Sequence, residues 1–277
     1  MAARVRQRLA TALFAAALMA LFAAALMMSG APIAAPARSP LALTWEWQDA
    51  HPMKPPAVSA VVNTCPTPKS YVLTRVPATM PKNVALSFDD GPSPRWTPQI
   101  LDILKANRVH ATFFMVGQYA RSYPRLVRRV VAEGHTVGNH TLTHPHMNDL
   151  SATRQASQLD AATRAISAAV PGGYKPCFFR PPNGAYNSTT VRLARARGMS
   201  TVLWTHDTRD WTTPLHLSSS FQRTIVYRAT HPVTLHPNVL THDGSPGNYR
   251  QNTVNNVKRI ITFYKSRGYR FTNPAGR

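Results

Sequence analysis

The sequence predicts an α/β fold, an incomplete (β/α) barrel of about seven parallel strands, on three observations. Seven short apolar runs alternate with six stretches of helical periodicity between Asn83 and Thr272, the alternation that builds a parallel sheet covered by helices. Ionisable residues follow the runs in succession: Asp89 and Asp90 the first, His140 and His144 the third, Arg180 the fourth, Asp207 and Asp210 the fifth, His242 and Asp243 the sixth. Such residues at the carboxyl ends of successive strands mark the mouth of a barrel, whereas an open doubly wound sheet gathers them at one switch point. No glycine-rich phosphate loop follows any run, since Gly91 and Gly117 stand alone, so nucleotide chemistry has no support.

Taken in order, Asn83–Phe88 reads as the first strand, and a helical pattern through Ile100, Leu101 and Leu104 follows it. Ala111–Val116 is the second strand; the next helix turns Leu126, Val127, Val130 and Val131 inward and Arg121, Arg125, Arg128 and Arg129 outward. His135–Gly138 is the third, and the helix around Ser151–Val170 places Leu159, Ala162, Ile166 and Ala169 on one side. Cys177–Phe179, Thr201–Trp204, Val239–Thr241 and Tyr269–Thr272 are the remaining strands. Helices around Thr189–Arg197, Ser218–Arg228 and Thr253–Arg267 separate them, the last closed by Gly268 as a left-handed cap.

The segment before Asn83 divides in two. Within residues 1–37, Arg4, Arg6 and Arg8 precede an apolar stretch from Leu9 to Met28, in which ALFAAALM occurs twice, and small residues follow to Ala37. That order is an export signal, with a single uncleaved amino-terminal anchor as the alternative because the stretch is long enough to span a bilayer. Either reading puts the rest of the chain outside the cytoplasm, as a secreted, periplasmic or outer-face protein. Residues 38–81 are proline-rich and read as an extended arm; Trp45 and Trp47 there form a short strand laid on the domain or, less simply, a sugar-stacking pair. Residues 82–277 form the domain. Cys65 in the arm and Cys177 in the domain either close a disulfide or remain two thiols.

Composition bounds the partners. The 277 residues carry 32 Lys and Arg against 11 Asp and Glu, a formal net charge of +21, with 44% hydrophobic residues. Disorder and a disulfide-dense scaffold are excluded by the apolar content and the two cysteines. The charge predicts attraction to a polyanion, and export removes nucleic acid from the candidates.

Two clusters carry chemistry. His140 and His144, four residues apart, can converge on one metal from a helical turn or a tight loop, and Pro145 favours the loop. By itself the spacing is equally that of two polar loop residues. Asp89-Asp90-Gly91-Pro92 ends an apolar strand; the plain reading is an Asp-Gly turn, the functional one a cation ligand beside a carboxylate with another task. Brought together at a barrel mouth, two imidazoles, one ligating carboxylate and one spare carboxylate are the inventory of a metal hydrolase. The same two-histidine, one-carboxylate set could hold iron for an oxygenase, which leaves Asp89, Arg180 and His242 without a purpose.

Ser87-Phe-Asp-Asp-Gly91 followed by His140-Thr-Leu-Thr-His144 resembles the first two motifs of the NodB-homology polysaccharide deacetylases, carbohydrate esterase family four. Arg180-Pro-Pro-Asn-Gly184, Asp207-Thr-Arg-Asp-Trp211 and Leu240-Thr-His242 resemble the other three, in order, over about Asn83 to Thr272. The resemblance implies that Asp90, His140 and His144 bind a divalent metal, usually zinc, with cobalt or another divalent ion as alternatives. It implies that Asp89 is the general base toward metal-bound water, held by Arg180, and that His242 is the general acid, paired with Asp207. Trp211 and Leu240 would form the slot for the acetyl methyl, and the backbone N–H of Asn183 would donate to the oxyanion. The expected substrate is an N-acetylglucosamine-containing envelope polysaccharide, with O-deacetylation of xylan or another acetylated polymer as the alternative. Three positions depart from the pattern: Asn183 replaces a common aromatic, His206 a usual apolar residue, and Thr241 a usual hydrophobe. A basic, non-catalytic binding module is a further alternative, opposed by the intact set of catalytic positions. Five of the eleven acids sit in or beside the motifs, so the basic residues are a surface property suited to an anionic envelope.

Overall fold

The computed structural model describes residues 65–69, 71–244 and 249–277; the segment 1–37 and the Trp45–Trp47 pair lie outside the described residues. Among the described residues the elements are, in chain order, β1 (Asn83–Asp89), α1 (Thr97–Ala106), β2 (Thr112–Met115), α2 (Gly117–Ser122), α3 (Pro124–Ala132), β3 (Thr136–Asn139), α4 (Ala152–Ala169) and β4 (Phe178–Phe179). Then come α5 (Ser188–Ala196), β5 (Ser200–Thr201), β6 (His206–Asp207), α6 (Ser219–Thr230), β7 (Asn238–His242), α7 (Gln251–Ser266) and β8 (Arg270–Phe271). No described helix is long and apolar enough to cross a membrane.

The sheet runs β5-β4-β3-β2-β1-β7-β6, every neighbouring pair parallel, with β8 added beside the start of β1. This is the expected incomplete barrel. β1 lies between β2 and β7 and is buried along all seven residues, so its side chains need apolar cover on both faces. Phe88 stacks on Phe113 of β2, with ring centroids 5.1 Å apart. Helices supply the outer cover with the faces the periodicity assigned: Ile100, Leu101 and Leu104 from α1, Leu126, Val127, Val130 and Val131 from α3, and Leu159, Ala162, Ile166 and Ala169 from α4. Gly268 takes the left-handed conformation (φ 75°) just past α7, as expected of a cap.

Two elements differ from expectation. The helix expected across Arg121–Val131 is two helices broken before Pro124, because the residue preceding a proline avoids the α conformation. β6 was not expected at all: His206–Asp207 is two residues long and polar, and it is a strand only because β7 offers it an edge.

The barrel is open between β5 and β6, which form the two ends of the sheet although few residues separate them in sequence. Side chains bridge the gap: Asn238 Nδ2 donates to the Leu203 carbonyl at 2.6 Å, and Arg180 Nη2 donates to it at 3.1 Å. The arm covers the β5 edge, where the Leu73 N–H bonds the Thr201 carbonyl and the Leu203 N–H bonds the Leu73 carbonyl. Cys65 and Cys177 form a disulfide, with Cα atoms 5.1 Å apart, that links the described end of the arm to the domain. Edge protection and a cross-link over so long a loop both favour the closed arrangement.

Candidate active site and metal centre

The carboxyl ends of β1, β3, β4 and β7 deliver Asp89, Asp90, His140, Arg180 and His242 to one mouth. Asp89 ends β1 and His242 ends β7, and the parallel register makes these two residues direct neighbours across the strands. Asp90 follows in a left-handed conformation (φ 72°) that turns its carboxylate away from the strand direction. His140 follows β3 and is buried; its Nδ1 lies 2.7 Å from the Arg180 carbonyl. A carbonyl only accepts, so Nδ1 carries the proton and Nε2 is left with its lone pair toward the mouth.

His144 arrives on a loop, as Pro145 predicted. Asn139 Oδ1 accepts the Thr141 N–H, the Gln158 amide oxygen accepts those of Leu142 and Thr143, and Thr141 Oγ1 accepts that of His144. Thr141 and His144 both adopt positive φ, at 65° and 62°. His144 Nε2 thereby reaches 3.1 Å, and His140 Nε2 3.4 Å, from the same oxygen of Asp90, Oδ1. The donor atoms of Asp90, His140 and His144 all lie within 4.8 Å of one another. Burial works to raise the Asp90 pKa, but the neighbouring imidazoles of His140, His144 and His242 hold it well below the usual carboxylate range. Two imidazoles and one carboxylate at this separation are a donor set that suits a borderline divalent ion, and three protein ligands leave one position open.

Asp89 is held separately. Arg180 is fully buried, its Nη1 donating to Asp89 Oδ1 and to Ser87 Oγ, both at 2.7 Å. Its guanidinium also lies 4.1 Å from the Phe114 ring centroid. Asp89 Oδ2 remains 3.9 Å from His140 Nε2.

The partner of His242 is Asp210, which corrects the assignment of Asp207. Asp210 is fully buried; its Oδ1 lies 2.7 Å from His242 Nδ1 and its Oδ2 accepts the His242 backbone N–H at 2.9 Å. Asp207 Oδ1 instead accepts the Arg209 N–H at 2.8 Å, a local turn that supports the left-handed Arg209 (φ 52°) and folds the chain back through Asp210–Thr212. The two acids of Asp207-Thr-Arg-Asp210 thus divide the work, one shaping the turn and one meeting the histidine. Burial pushes the His242 pKa down, but the adjacent Asp210 charge and hydrogen bond outweigh it and raise it to about 9. The Asp210 pKa moves the other way: burial opposes its charge, and His242, Arg250 and Thr253 bring it down.

The remaining expected residues line the rim. Leu240 is buried on β7, while Trp211 is 52% exposed. Asn183 adopts φ 57° in the turn Pro182–Gly184, with its amide nitrogen 3.3 Å from His146 Nε2. Asp90, Thr141, His144, Asn183 and Arg209 account for five of the six positive-φ non-glycine residues described, the clustering of backbone strain that functional loops show. His206 is structural, bridging Thr205 Oγ1 and the Pro232 carbonyl, and Thr241 donates to the Ser87 carbonyl. Sequence reasoning missed Arg250 and Thr253, whose Oγ1 donates to Asp210 Oδ2 at 2.7 Å. It gave Asp243 no role either; burial raises this carboxyl to about 7 against a hydrogen bond from Thr97.

The polysaccharide deacetylase family profile matches residues 77–202. A peptidoglycan-N-acetylglucosamine deacetylase of Bacillus cereus is 36% identical over 206 residues, 74% of this chain and 91% of the relative. A chitooligosaccharide deacetylase of Sinorhizobium fredii is 35% identical over 195 residues, 68% of this chain and 87% of the relative. Among solved structures, a family 4 carbohydrate esterase from Streptomyces lividans in complex with acetate superposes with a TM-score of 0.62 at 34% identity, over 71% of this chain and 96% of that one. A family 4 pseudoenzyme from Bacillus anthracis superposes with a TM-score of 0.65 at 30% identity, over 74% and 68%.

Proposed function

The chain belongs to the polysaccharide deacetylase family, and from that membership we propose that it is a metal-dependent hydrolase removing N-acetyl groups from an N-acetylglucosamine-containing polymer of the cell envelope. The observation that carries this reading is the convergence of Asp90, His140 and His144 within 4.8 Å, beside an independently held Asp89.

An amide is a weak electrophile and an amine a poor leaving group, so the site must manage two protons and one developing charge. Asp90, His140 and His144 would hold a divalent ion, zinc by the donor set, which when bound makes water acidic near neutral pH and polarises the carbonyl. Asp89, fixed by Arg180, takes the proton of the attacking water. His242, kept cationic by Asp210, gives a proton to the departing nitrogen, so acetate and a free amine leave. The backbone N–H of Asn183 is assigned to the oxygen that gains charge. Leu240 and Trp211 are assigned to the acetyl methyl and the neighbouring sugar.

Relatives named for peptidoglycan and for chitooligosaccharides support a polymer of N-acetylglucosamine. Export through residues 1–37, cleaved or retained as an anchor, brings the enzyme to such a polymer. The described residues carry basic side chains far in excess of acids, and four of their nine acids, Asp89, Asp90, Asp210 and Asp243, are buried at the mouth. The outer surface therefore suits an anionic envelope; binding to purified wall fragments falls as salt rises if so.

The direct test measures acetate released from peptidoglycan, chitin oligomers, poly-N-acetylglucosamine and acetylated xylan. Release from at least one N-acetylated polymer, abolished by a chelator and restored by zinc or cobalt, is the expected result. Release that survives metal removal overturns the mechanism, and hydrolysis of acetylated xylan alone replaces N-deacetylation with the O-acetyl esterase reading.

A further inference from the structure

Arg250 lies outside all five motifs, yet it is fully buried and ranks with Arg180 among the largest side chains shut away from water. A buried guanidinium is costly unless its donors and its charge are met. Arg250 Nε donates to the Gly244 carbonyl at 3.1 Å, Nη1 donates to the Asp210 carbonyl at 3.0 Å, and Nη2 lies 3.9 Å from Asp90 Oδ2. These partners belong to three separate segments: the turn after β1, the turn after β6 and the loop after β7.

The geometry at Asp90 is directional. His140 and His144 face Oδ1, whereas Arg250 faces Oδ2, so the carboxylate stands between a cation behind and two imidazoles in front. The loop bearing Gly244 is pressed against the same turn: a Cβ on Gly244 would sit 1.9 Å from the Asp90 carbonyl oxygen, so only glycine fits there. The Arg250 bond to the Gly244 carbonyl holds Gly244 in place there. From one turn further along α7, Thr253 secures the Asp210 carboxylate while Arg250 secures its carbonyl. Each member of the adjacent Asp89–Asp90 pair therefore has an arginine of its own, which is how two neighbouring carboxylates coexist in a buried mouth.

We propose that Arg250 is a positioning residue that aims the Asp90 carboxylate at the two histidines and seats the Asp210 turn against His242, so that one buried cation sets both halves of the centre. A lysine replaces it only in part, because a point charge lacks the fixed fork that spans three segments. The inference rests on the metal-centre reading above.

The test compares wild type, R250M and R250K for zinc and cobalt affinity by chelator competition, for kcat and KM on chitin oligomers, and for thermal melting of the metal-free protein. Loss of an outer partner of a metal ligand weakens binding by about 10- to 100-fold, and that rise in Kd is expected for R250M. Its kcat at saturating metal falls by a larger factor than KM changes, and R250K recovers part of both losses. A folded R250M with Kd and kcat within about twofold of wild type overturns the proposal, as does a lowered melting temperature with metal affinity intact, the behaviour of a plain strut. If R250M does not fold, R250K decides: a Kd raised severalfold supports the proposal and an unchanged one overturns it. A wild-type chain that binds no divalent ion overturns the metal reading and this inference together. One that binds an ion but releases no acetate overturns only the deacetylase reading, and the affinity comparison still stands.

Discussion

Asp89→Asn abolishes acetate release, by about 10²- to 10⁴-fold in kcat, the range a general base contributes, while the protein still binds its metal. The amide keeps the shape and an acceptor oxygen for Arg180 but cannot take a proton from the attacking water. The substitution leaves a buried arginine without its counter-charge, and breaking such a pair alone costs roughly 3–5 kcal/mol in other proteins. Here the guanidinium keeps four further acceptors, namely Ser87 Oγ, the Val202 and Leu203 carbonyls and Asn238 Oδ1. The variant therefore stays folded, with a lowered melting temperature. Equilibrium metal binding and acetate release, measured on the same preparation below that temperature, separate the base from the ligand. Asp89→Asn that binds zinc as wild type does and still turns over at more than a tenth of the wild-type rate removes Asp89 from the role of base. Asp90→Asn differs in kind, because it strikes the metal itself and loses both signals together.

The sequence announced the barrel because each strand that matters carries an apolar run and each helix an inward stripe. Asn83–Asp89 is readable as a central strand from its own residues, and Leu159, Ala162, Ile166 and Ala169 fall on the predicted face of α4. β6 was illegible for the opposite reason: two polar residues become a strand only through the edge of β7, a tertiary effect. The convergence of Asp90, His140 and His144 was legible because they sit in short motifs at strand ends, where backbone direction fixes where a side chain goes. His242's partner was not. Asp207 and Asp210 both flank the right strand, and the choice between them depends on a left-handed Arg209 that turns the chain back. Arg250 was hidden more deeply, being one of 32 basic residues in a chain whose described arginines mostly face solvent. Its burial is visible only once the start of α7 is set against the mouth.

That corrected pairing gives the second large effect, in which two neighbouring aspartates behave oppositely. The histidine titrates upward because Asp210 touches it, so the cation is present below the raised pKa, about 9, and is lost as pH rises through it. The rate of a reaction that uses His242 as acid therefore declines on the alkaline side. In Asp210→Asn the main raising charge is gone while the burial that lowers the pKa and the weaker pull of Asp90 remain, so the alkaline limb moves down in pH toward the ordinary histidine value near 6.5. At pH 7.5 roughly nine-tenths of His242 is then neutral, and kcat falls by about tenfold. Asp207→Asn removes only an acceptor of the Arg209 N–H, which an asparagine oxygen replaces, so its pH profile overlies that of wild type and kcat stays within about twofold. The measurement is the pH dependence of kcat for wild type and both variants at saturating metal. An alkaline limb that moves with Asp207 and not with Asp210 would return the pairing to the earlier acid and contradict the 2.7 Å contact between Asp210 Oδ1 and His242 Nδ1. A limb unmoved in both assigns the acid to another group, because no other carboxylate makes a hydrogen bond to this histidine among the described residues.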